Sequence, residues 1–350
     1  MKIALVTDTH AGVRNDNQNF ADNHEKFWSK IFFPELKERG IKQIIHLGDF
    51  VDRRKYINFL TAQRLRTEVF EPIDQMGLNV ELILGNHDVM YKNTNDVNAA
   101  NELLMQRKNW KFFDTPINRE FDGRKVLYLP WITEGGEGEA LDAVSATDAV
   151  TCFGHLEING FTMSPGAKCH DGLKKSTFDK FELVCSGHFH HRSTAKHIKY
   201  LGSPYEMTWA DYGNQKGFHI WDTETNELEF IKNPYKIFGK IVLDSQSIHL
   251  IHNIDPSRID GKLLNIEVRD FLEPDVVDQA MEHFWNMNPA GIEKSDTSEF
   301  EEVDEEHEID SMADTLTIFN EYVDNMSLSV NPKDVKAKVR ELYQEALSIE

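Results

Sequence analysis

Over the first 230 residues, short apolar runs alternate with longer stretches whose apolar residues recur at helical spacing, the pattern of a layered α/β domain. The runs predict strands at Ile3–Val6, Gln43–Leu47, Val80–Leu84, Val126–Leu129, Val150–Phe153 and Leu183–Cys185. Between them Glu25–Arg39, Phe59–Met76 and Val97–Arg107 read as helices, with Pro34 expected to kink or interrupt the first. Further strands are expected at Lys199–Leu201, Gly217–Trp221 and Glu227–Ile231. After Pro234 the pattern restarts with strand-like Lys240–Leu243 and Lys262–Val268 and helix-like Val276–Asn286, which suggests a small α+β cap over 235–290. An acidic stretch over 291–310 reads as a solvated linker, and two amphipathic helices, Ser311–Asn325 and Lys333–Ser348, are expected to close the chain, parted at Asn331-Pro332.

The chain has 350 residues, 40% hydrophobic and 28% charged, with 22 Phe and 6 Trp, enough to bury a sizeable core and to form two compact units. Its 38 Lys and Arg against 59 Asp and Glu give a net charge of −21, of which Glu293–Asp310 supplies about −9. That balance argues against a basic nucleic-acid coat protein, but it leaves a nuclease open, because bound cations and local basic clusters hold phosphate on an acidic protein. Three cysteines, Cys152, Cys169 and Cys185, without CxxC spacing argue against a disulfide framework or a Cys-rich zinc module and fit a reducing cytoplasm. Asp8 interrupts the N-terminal apolar run before a signal core forms, and no stretch approaches about 18 apolar residues, so a soluble, unprocessed, cytoplasmic chain without membrane association is expected. No GxxxxGK[ST] is present, so ATP hydrolysis by a phosphate-binding loop is not expected of this chain.

The informative residues are those that follow the apolar runs. Five expected strands lead into Asp8-Thr9-His10, Gly48-Asp49, Gly85-Asn86-His87-Asp88, Gly154-His155 and Gly187-His188-Phe189-His190. Ligand crevices of open α/β sheets lie beyond the carboxyl ends of the strands, so these segments should converge although some 180 residues separate them. An Asp, Asn and His set without thiolate suits Mn²⁺, Mg²⁺, Fe²⁺ or Zn²⁺. Two ions need a bridging carboxylate, for which Asp49 is placed; Asp8, His10 and His190 could complete one ion and Asn86, His155 and His188 the other. Each residue alone has a plainer reading: Asp49 as a helix cap, Asn86 as a turn residue, and His46, His170, His191, His197 and His219 as ordinary histidines. Five such motifs at strand ends outweigh those readings.

With these motifs the chain resembles the calcineurin-like metallophosphoesterases, whose pattern is DxH, GDxxD, GNHD, GH and GHxH, over residues 1–230. The resemblance implies a layered α/β sandwich of sheets flanked by helices, with the nuclease domain at 1–234. Tyr200-Leu201-Gly202-Ser203-Pro204, Asp211 and Lys216-Gly217-Phe218 are similar to the segment after the last metal motif of SbcD/Mre-type recombination nucleases. Gly154–Phe161 and Asp222–Thr225 look like phage-type members. Asp52 stands where cellular members usually carry His, so that residue's role is not carried over; a partner of Arg53 or Arg54, or a residue behind the ligands, is expected instead.

The resemblance implies two divalent ions, Mn²⁺ with Mg²⁺ as the alternative, and double-strand DNA exonuclease with single-strand endonuclease activity in recombination and repair. It also implies a homodimer joined to an SbcC/Rad-type coiled-coil ATPase; the apolar stripes of the helices of 311–350 are expected to dock on that coiled coil, or else to close into an intramolecular helical hairpin that caps the fold. His87 would stabilise developing charge or protonate the leaving oxygen, with Asp88 orienting its ring. Arg53, Arg54 and Lys55, and the pairs Arg107-Lys108 and Lys174-Lys175, could grip the DNA backbone, and the cap would bind DNA. Phe59, Leu60 and Leu65 with Val97, Leu103 and Leu104 fit either a dimer seam or core packing. Two other readings stay open: a metallophosphatase or nucleotide phosphodiesterase, and a DNA-end tether whose metal site is structural.

Overall fold

The computed structural model describes residues 1–104, 107–164, 167–269 and 272–296, with Lys336 and Lys338. Its strands, in chain order, are β1 (Lys2–Val6), β2 (Gln43–His46), β3 (Asn79–Ile83), β4 (Trp110–Phe113), β5 (Ile117–Phe121), β6 (Arg124–Leu129), β7 (Thr151–His155), β8 (Thr162–Ser164), β9 (Ala167–Lys168), β10 (Leu183–Gly187), β11 (Ser193–Ala195), β12 (Ile198–Tyr200), β13 (Lys216–Asp222), β14 (Leu228–Asn233), β15 (Phe238–Leu243), β16 (Leu263–Val268) and β17 (Gly291–Asp296). Twelve of them form two six-stranded sheets, ordered β14-β13-β1-β2-β3-β4 and β11-β12-β10-β7-β6-β5, and β8 pairs with β9. Ile3, Leu5, Ile45 and Ile83 of the first sheet meet Tyr128, Phe153 and Cys185 of the second in one buried layer.

The strands read as unbroken apolar runs because both faces are covered. Ile3 and Leu5 enter the layer between the sheets, whereas Ala4 and Val6 join the core under the helices. Within each sheet the central pairings are parallel: Leu5 lies opposite Ile45, Ile45 opposite Glu81, and Gly187 opposite His155. The carboxyl ends of β1, β2 and β3 are therefore in line, as are those of β7 and β10. The five motifs do not sit on one open sheet; three come from one layer of the sandwich and two from the other.

Pro34 does not interrupt its helix. The helical run continues from Gln18 to Glu38 through a π turn at Trp28–Phe32, in which the Phe33 N–H donates to the Trp28 carbonyl five residues back. A second π turn, Leu65–Phe70, precedes Pro72, and there the Glu71 N–H reaches Arg66. In both places the wider turn lies just before the residue that cannot donate, and the helix passes the proline without a break. The helix also starts seven residues earlier than the apolar spacing suggests, because the Asn17 side chain accepts the Asn19 N–H (3.0 Å) and caps it.

Beyond Pro234, β15, β16 and β17 form a parallel three-stranded sheet covered by the helix Pro274–Trp285, with a core of its own around Leu243, Leu264, Ile266 and Phe284. Here the expected linker needs correction: its first six residues, 291–296, are strand β17, paired with β16 from Leu263↔Gly291 to Val268↔Asp296. Ile292 packs on the cap core while Glu293 and Lys294 that follow it are exposed, so an edge strand carries the composition of a linker. The rest of the acidic run and, apart from Lys336 and Lys338, the two terminal helices lie outside the described residues.

Candidate metal centre

The loops after β1, β2, β3, β7 and β10 bring the seven expected ligands together. Asp8, His10 and His190 form one cluster and Asp49, His155 and His188 another, each with its ligand atoms within 4.8 Å of one another. One oxygen joins them: Asp49 Oδ2 lies 3.5 Å from His10 Nε2 and 3.3 Å from His155 Nε2. Asn86 Oδ1 completes the second group, 3.0 Å from His155 Nε2 and 2.9 Å from His188 Nδ1. His10 Nε2 and His190 Nε2 face each other at 3.1 Å.

The local backbone is built for close approach. A Cβ on Gly85 would stand 2.2 Å from Asp49 Oδ1, and one on Gly187 would stand 2.1 Å from Thr7 Oγ1, so only glycine lets the loops nest. Asp8, His10, Asp49 and His188 all have positive φ (53°, 41°, 55° and 87°), a conformation that costs a side-chain-bearing residue on the order of 1 kcal/mol or more. Strain at four residues of one pocket is the mark of side chains held for a purpose.

The donors also fit a cation. His155 Nδ1–H donates to the Leu47 carbonyl (2.8 Å), which leaves the Nε2 lone pair facing Asn86 Oδ1 and Asp49 Oδ2. Lone pairs converging at about 3 Å repel unless a proton or a metal ion sits among them. Without metal, protons take that part. Burial alone would lower His155, but the Asp49 carboxylate outweighs it and raises the imidazole to about 9. Burial likewise opposes ionisation of Asp49, yet His155 and His10 hold its carboxyl well below the ordinary range.

A pH dependence follows. Metal must displace the His155 proton, so affinity is weakened below pH 9 and is expected to rise about tenfold per unit from pH 7 to 9 for each proton displaced. Calorimetric titration with Mn²⁺ in two buffers of different ionisation enthalpy should show net proton release at pH 7.5. Metal binding with neither proton release nor pH dependence would contradict this account.

His87 lies beside the first cluster, its ring centroid 4.7 Å from that of His10. Asp88 does not orient it, contrary to the expectation from sequence. Asp88 accepts the buried N–H groups of Phe50 (2.8 Å), Val51 (3.1 Å) and Gly85 (2.9 Å), tying the second motif to the third. The residue that orients His87 is Asp52, whose backbone carbonyl accepts from Nδ1–H at 2.5 Å. The Asp52 carboxylate lies 3.3 Å from His10 Nδ1, so it partners a ligand histidine rather than Arg53 or Arg54. Arg53 pairs with Asp16. Arg107 pairs with Asp74 (3.0 Å), and Lys175 donates to the Gly160 carbonyl (3.1 Å), whereas Arg54 borders a cavity beside His155.

Sequence reading singled out Ser203, Asp211 and Lys216 only through a resemblance, and their arrangement explains them. The buried Lys216 ammonium donates to the His190 carbonyl (2.7 Å), Ser203 Oγ (2.8 Å) and Asp211 Oδ1 (2.5 Å), pinning the loop that carries His190. Trp131 was missed. It follows Pro130 at the end of β6, a sixth strand emptying at this edge, and its ring lies 5.2 Å from that of His188; an aromatic residue just past a buried strand is the signal that could have found it.

A sandwich whose parallel strands empty into a shared carboxylate among imidazoles is the architecture of a metal-dependent hydrolase. The chain belongs to the calcineurin-like phosphoesterase family, whose model matches residues 1–192. It is 37% identical over 233 residues to exonuclease subunit 1 of Enterobacteria phage T4, covering 67% of this chain and 68% of that one. It is 25% identical over 258 residues to a subunit of the SbcCD nuclease of Staphylococcus epidermidis, covering 65% and 67% respectively. A solved archaeal phosphodiesterase overlaps 67% of this chain and all of its own at 15% identity, with a TM-score of 0.35. The chain is thus a metal-dependent phosphoesterase of the family its five motifs resemble, and among the described residues no helix is long and apolar enough to cross a membrane.

Proposed function

We propose that this protein is a DNA nuclease, a Mn²⁺-favoured double-strand exonuclease and single-strand endonuclease that processes ends in recombination and repair. The observation that carries the reading is Asp49 Oδ2 set between two imidazole clusters, in a chain whose similar relatives are named as nuclease subunits. Asp8, His10 and His190 would hold one ion, Asn86, His155 and His188 the other, and Asp49 would bridge them. Two divalent cations so held supply a nucleophile at neutral pH by lowering the pKa of water, and they neutralise phosphate oxygens. The bond from His155 to the Leu47 carbonyl keeps its Nε2 facing Asn86 Oδ1 and Asp49 Oδ2, and that from His87 to the Asp52 carbonyl fixes the His87 ring. From Nε2, His87 would donate to the leaving oxygen. Hydrolysis of end-labelled linear duplex in Mn²⁺ tests the reading, with and without a coiled-coil ATPase partner. Release of nucleotides from the ends is expected, and turnover of small phosphate esters without any cutting of DNA would overturn it.

In the cap, Lys236, Lys240, Arg258 and Lys262 line a cleft of about 300 Å³; Lys236 pairs with Glu206 (3.2 Å) and Lys240 with Glu267 (2.6 Å), so Arg258 and Lys262 are the phosphate contacts this reading assigns. Attachment to the ATPase is assigned to 311–350 on the apolar stripes Met312, Leu316, Phe319 and Tyr322 and Val335, Val339, Leu342 and Tyr343.

Self-association is part of the same reading. Of the residues weighed for a dimer seam, Leu65 and Leu104 are core and Leu103 packs against it, while Phe59 is 94% exposed and Leu60 and Val97 are also exposed; Tyr56, outside that set, is exposed as well. Patches of this kind on a folded chain mark an interface. Phe59→Asp is expected to convert a dimer to a monomer in sedimentation velocity without loss of melting temperature; a wild-type chain that is monomeric at micromolar concentration would rule the seam out.

A further inference from the structure

A cavity of about 450 Å³ opens beside His155, and no ligand or proton-transfer role accounts for it. One wall is the indole of Trp131, whose centroid lies 5.2 Å from that of His188 and 6.2 Å from that of His155. The residue is fixed from behind, because its backbone N–H donates to the Leu84 carbonyl (2.8 Å) and its carbonyl accepts from Asn95 Nδ2 (3.1 Å). A half-buried aromatic ring is thereby presented next to the imidazoles of the second cluster. Glu134, Glu137 and Glu157 line the space together with Arg54 and Lys92, three carboxylates against two cationic side chains.

Charge and size together select the ligand. Carboxylates disfavour a phosphate inside the cavity, whereas the exocyclic amines of adenine, cytosine and guanine are donors that carboxylates accept. The volume falls in the range of small-molecule sites, with room for one nucleoside. The ring supplies a stacking face that every base can use. The arginine and the lysine suit the phosphates on either side of such a base.

We propose that this cavity receives the unpaired nucleobase adjacent to the scissile phosphate, stacked on Trp131 with its amine edge toward Glu134 or Glu157. A base held there has left the duplex, so the enzyme cuts ends one unpaired nucleotide at a time. The inference rests on the nuclease reading, since it needs a phosphodiester at the neighbouring His155–His188 cluster.

The test is a titration of the full, metal-free chain into a single-stranded trinucleotide carrying 2-aminopurine, whose fluorescence is quenched by stacking. Saturable quenching is expected with the wild type. Trp131→Ala should abolish the quenching and weaken binding by about 5- to 100-fold, and Trp131→Phe should restore both to within a few-fold. Equal quenching and affinity in wild type and Trp131→Ala, or no quenching by the wild type, overturns the proposal. Should Trp131→Ala fail to fold, Trp131→Leu keeps the bulk without the ring face and carries the same expectation. Hydrolysis of bis(p-nitrophenyl) phosphate by the wild type in Mn²⁺, a diester without a base, tests the catalytic reading separately: its loss would sink that reading while the quenching alone decides the cavity.

Discussion

Asp49→Ala is expected to lose both tight metal binding and all detectable DNA cleavage. One carboxylate oxygen of Asp49 faces His10 Nε2 and His155 Nε2 at 3.5 and 3.3 Å, so both candidate ion positions lose a ligand at once. The other oxygen accepts the His87 N–H at 2.8 Å, so the loop of the third motif loses its anchor as well. A water no longer acidified by bound cations offers almost no hydroxide at pH 7, and the rate should fall by on the order of 10⁴-fold or more. Asp49→Asn serves as the isosteric control. It keeps an acceptor for His87 and the volume of the buried site but cannot bridge two cations, so it should fold, bind at most one ion and stay inactive. Metal content by mass spectrometry of the dialysed protein, beside the cleavage rate, checks both variants. Two bound ions with undiminished cutting in either one would remove Asp49 from the centre of the mechanism.

His87→Ala should separate chemistry from metal binding. The imidazole contributes to proton transfer or charge stabilisation, and its removal is expected to lower kcat by about 10²- to 10⁴-fold. Neither cluster of the proposed ligands includes it, and Nδ1 is taken by the Asp52 carbonyl, so metal content and DNA affinity should stay within a few-fold of the wild type. Single-turnover cleavage compared with equilibrium DNA binding in Ca²⁺ reads the difference. A variant that cuts at the normal rate would reduce His87 to a turn residue. A variant that loses one ion would place it among the ligands, in line with its closeness to His10 and Asp49.

Much of this site was legible in the chain itself, for a local reason. The five motifs are each contiguous, and each follows an apolar run that has no alternative to becoming a buried strand, so residue type and position along the strand could be read together. Asp8, Asp49 and Asn86 needed no long-range knowledge beyond the rule that parallel strands share a carboxyl edge. The residues missed or misassigned depend on contacts across the sequence. Asp88 sits next to His87 in the chain, but its carboxylate turns to the Phe50, Val51 and Gly85 amides, since three buried N–H groups without an acceptor would cost more than a loosely held imidazole. Pro34 failed to break its helix because a π turn absorbed the missing donor, a register change that no local propensity encodes.

Strand periodicity and donor chemistry are properties of short segments, so the sequence by itself determined a layered α/β chain with a mixed Asp, Asn and His candidate ligand set, and its five contiguous motifs carried the resemblance to the metallophosphoesterases. It could not divide those segments between two sheets, place one Asp49 oxygen between His10 and His155, choose Asp52 over Asp88 as the partner of His87, or stand Trp131 over the second cluster. Those outcomes depend on how two layers face each other across the buried side chains of Leu5, Ile45, Tyr128 and Phe153. A shared edge between two sheets is a distance in space, set by the packing of that layer and carried by no single stretch of chain.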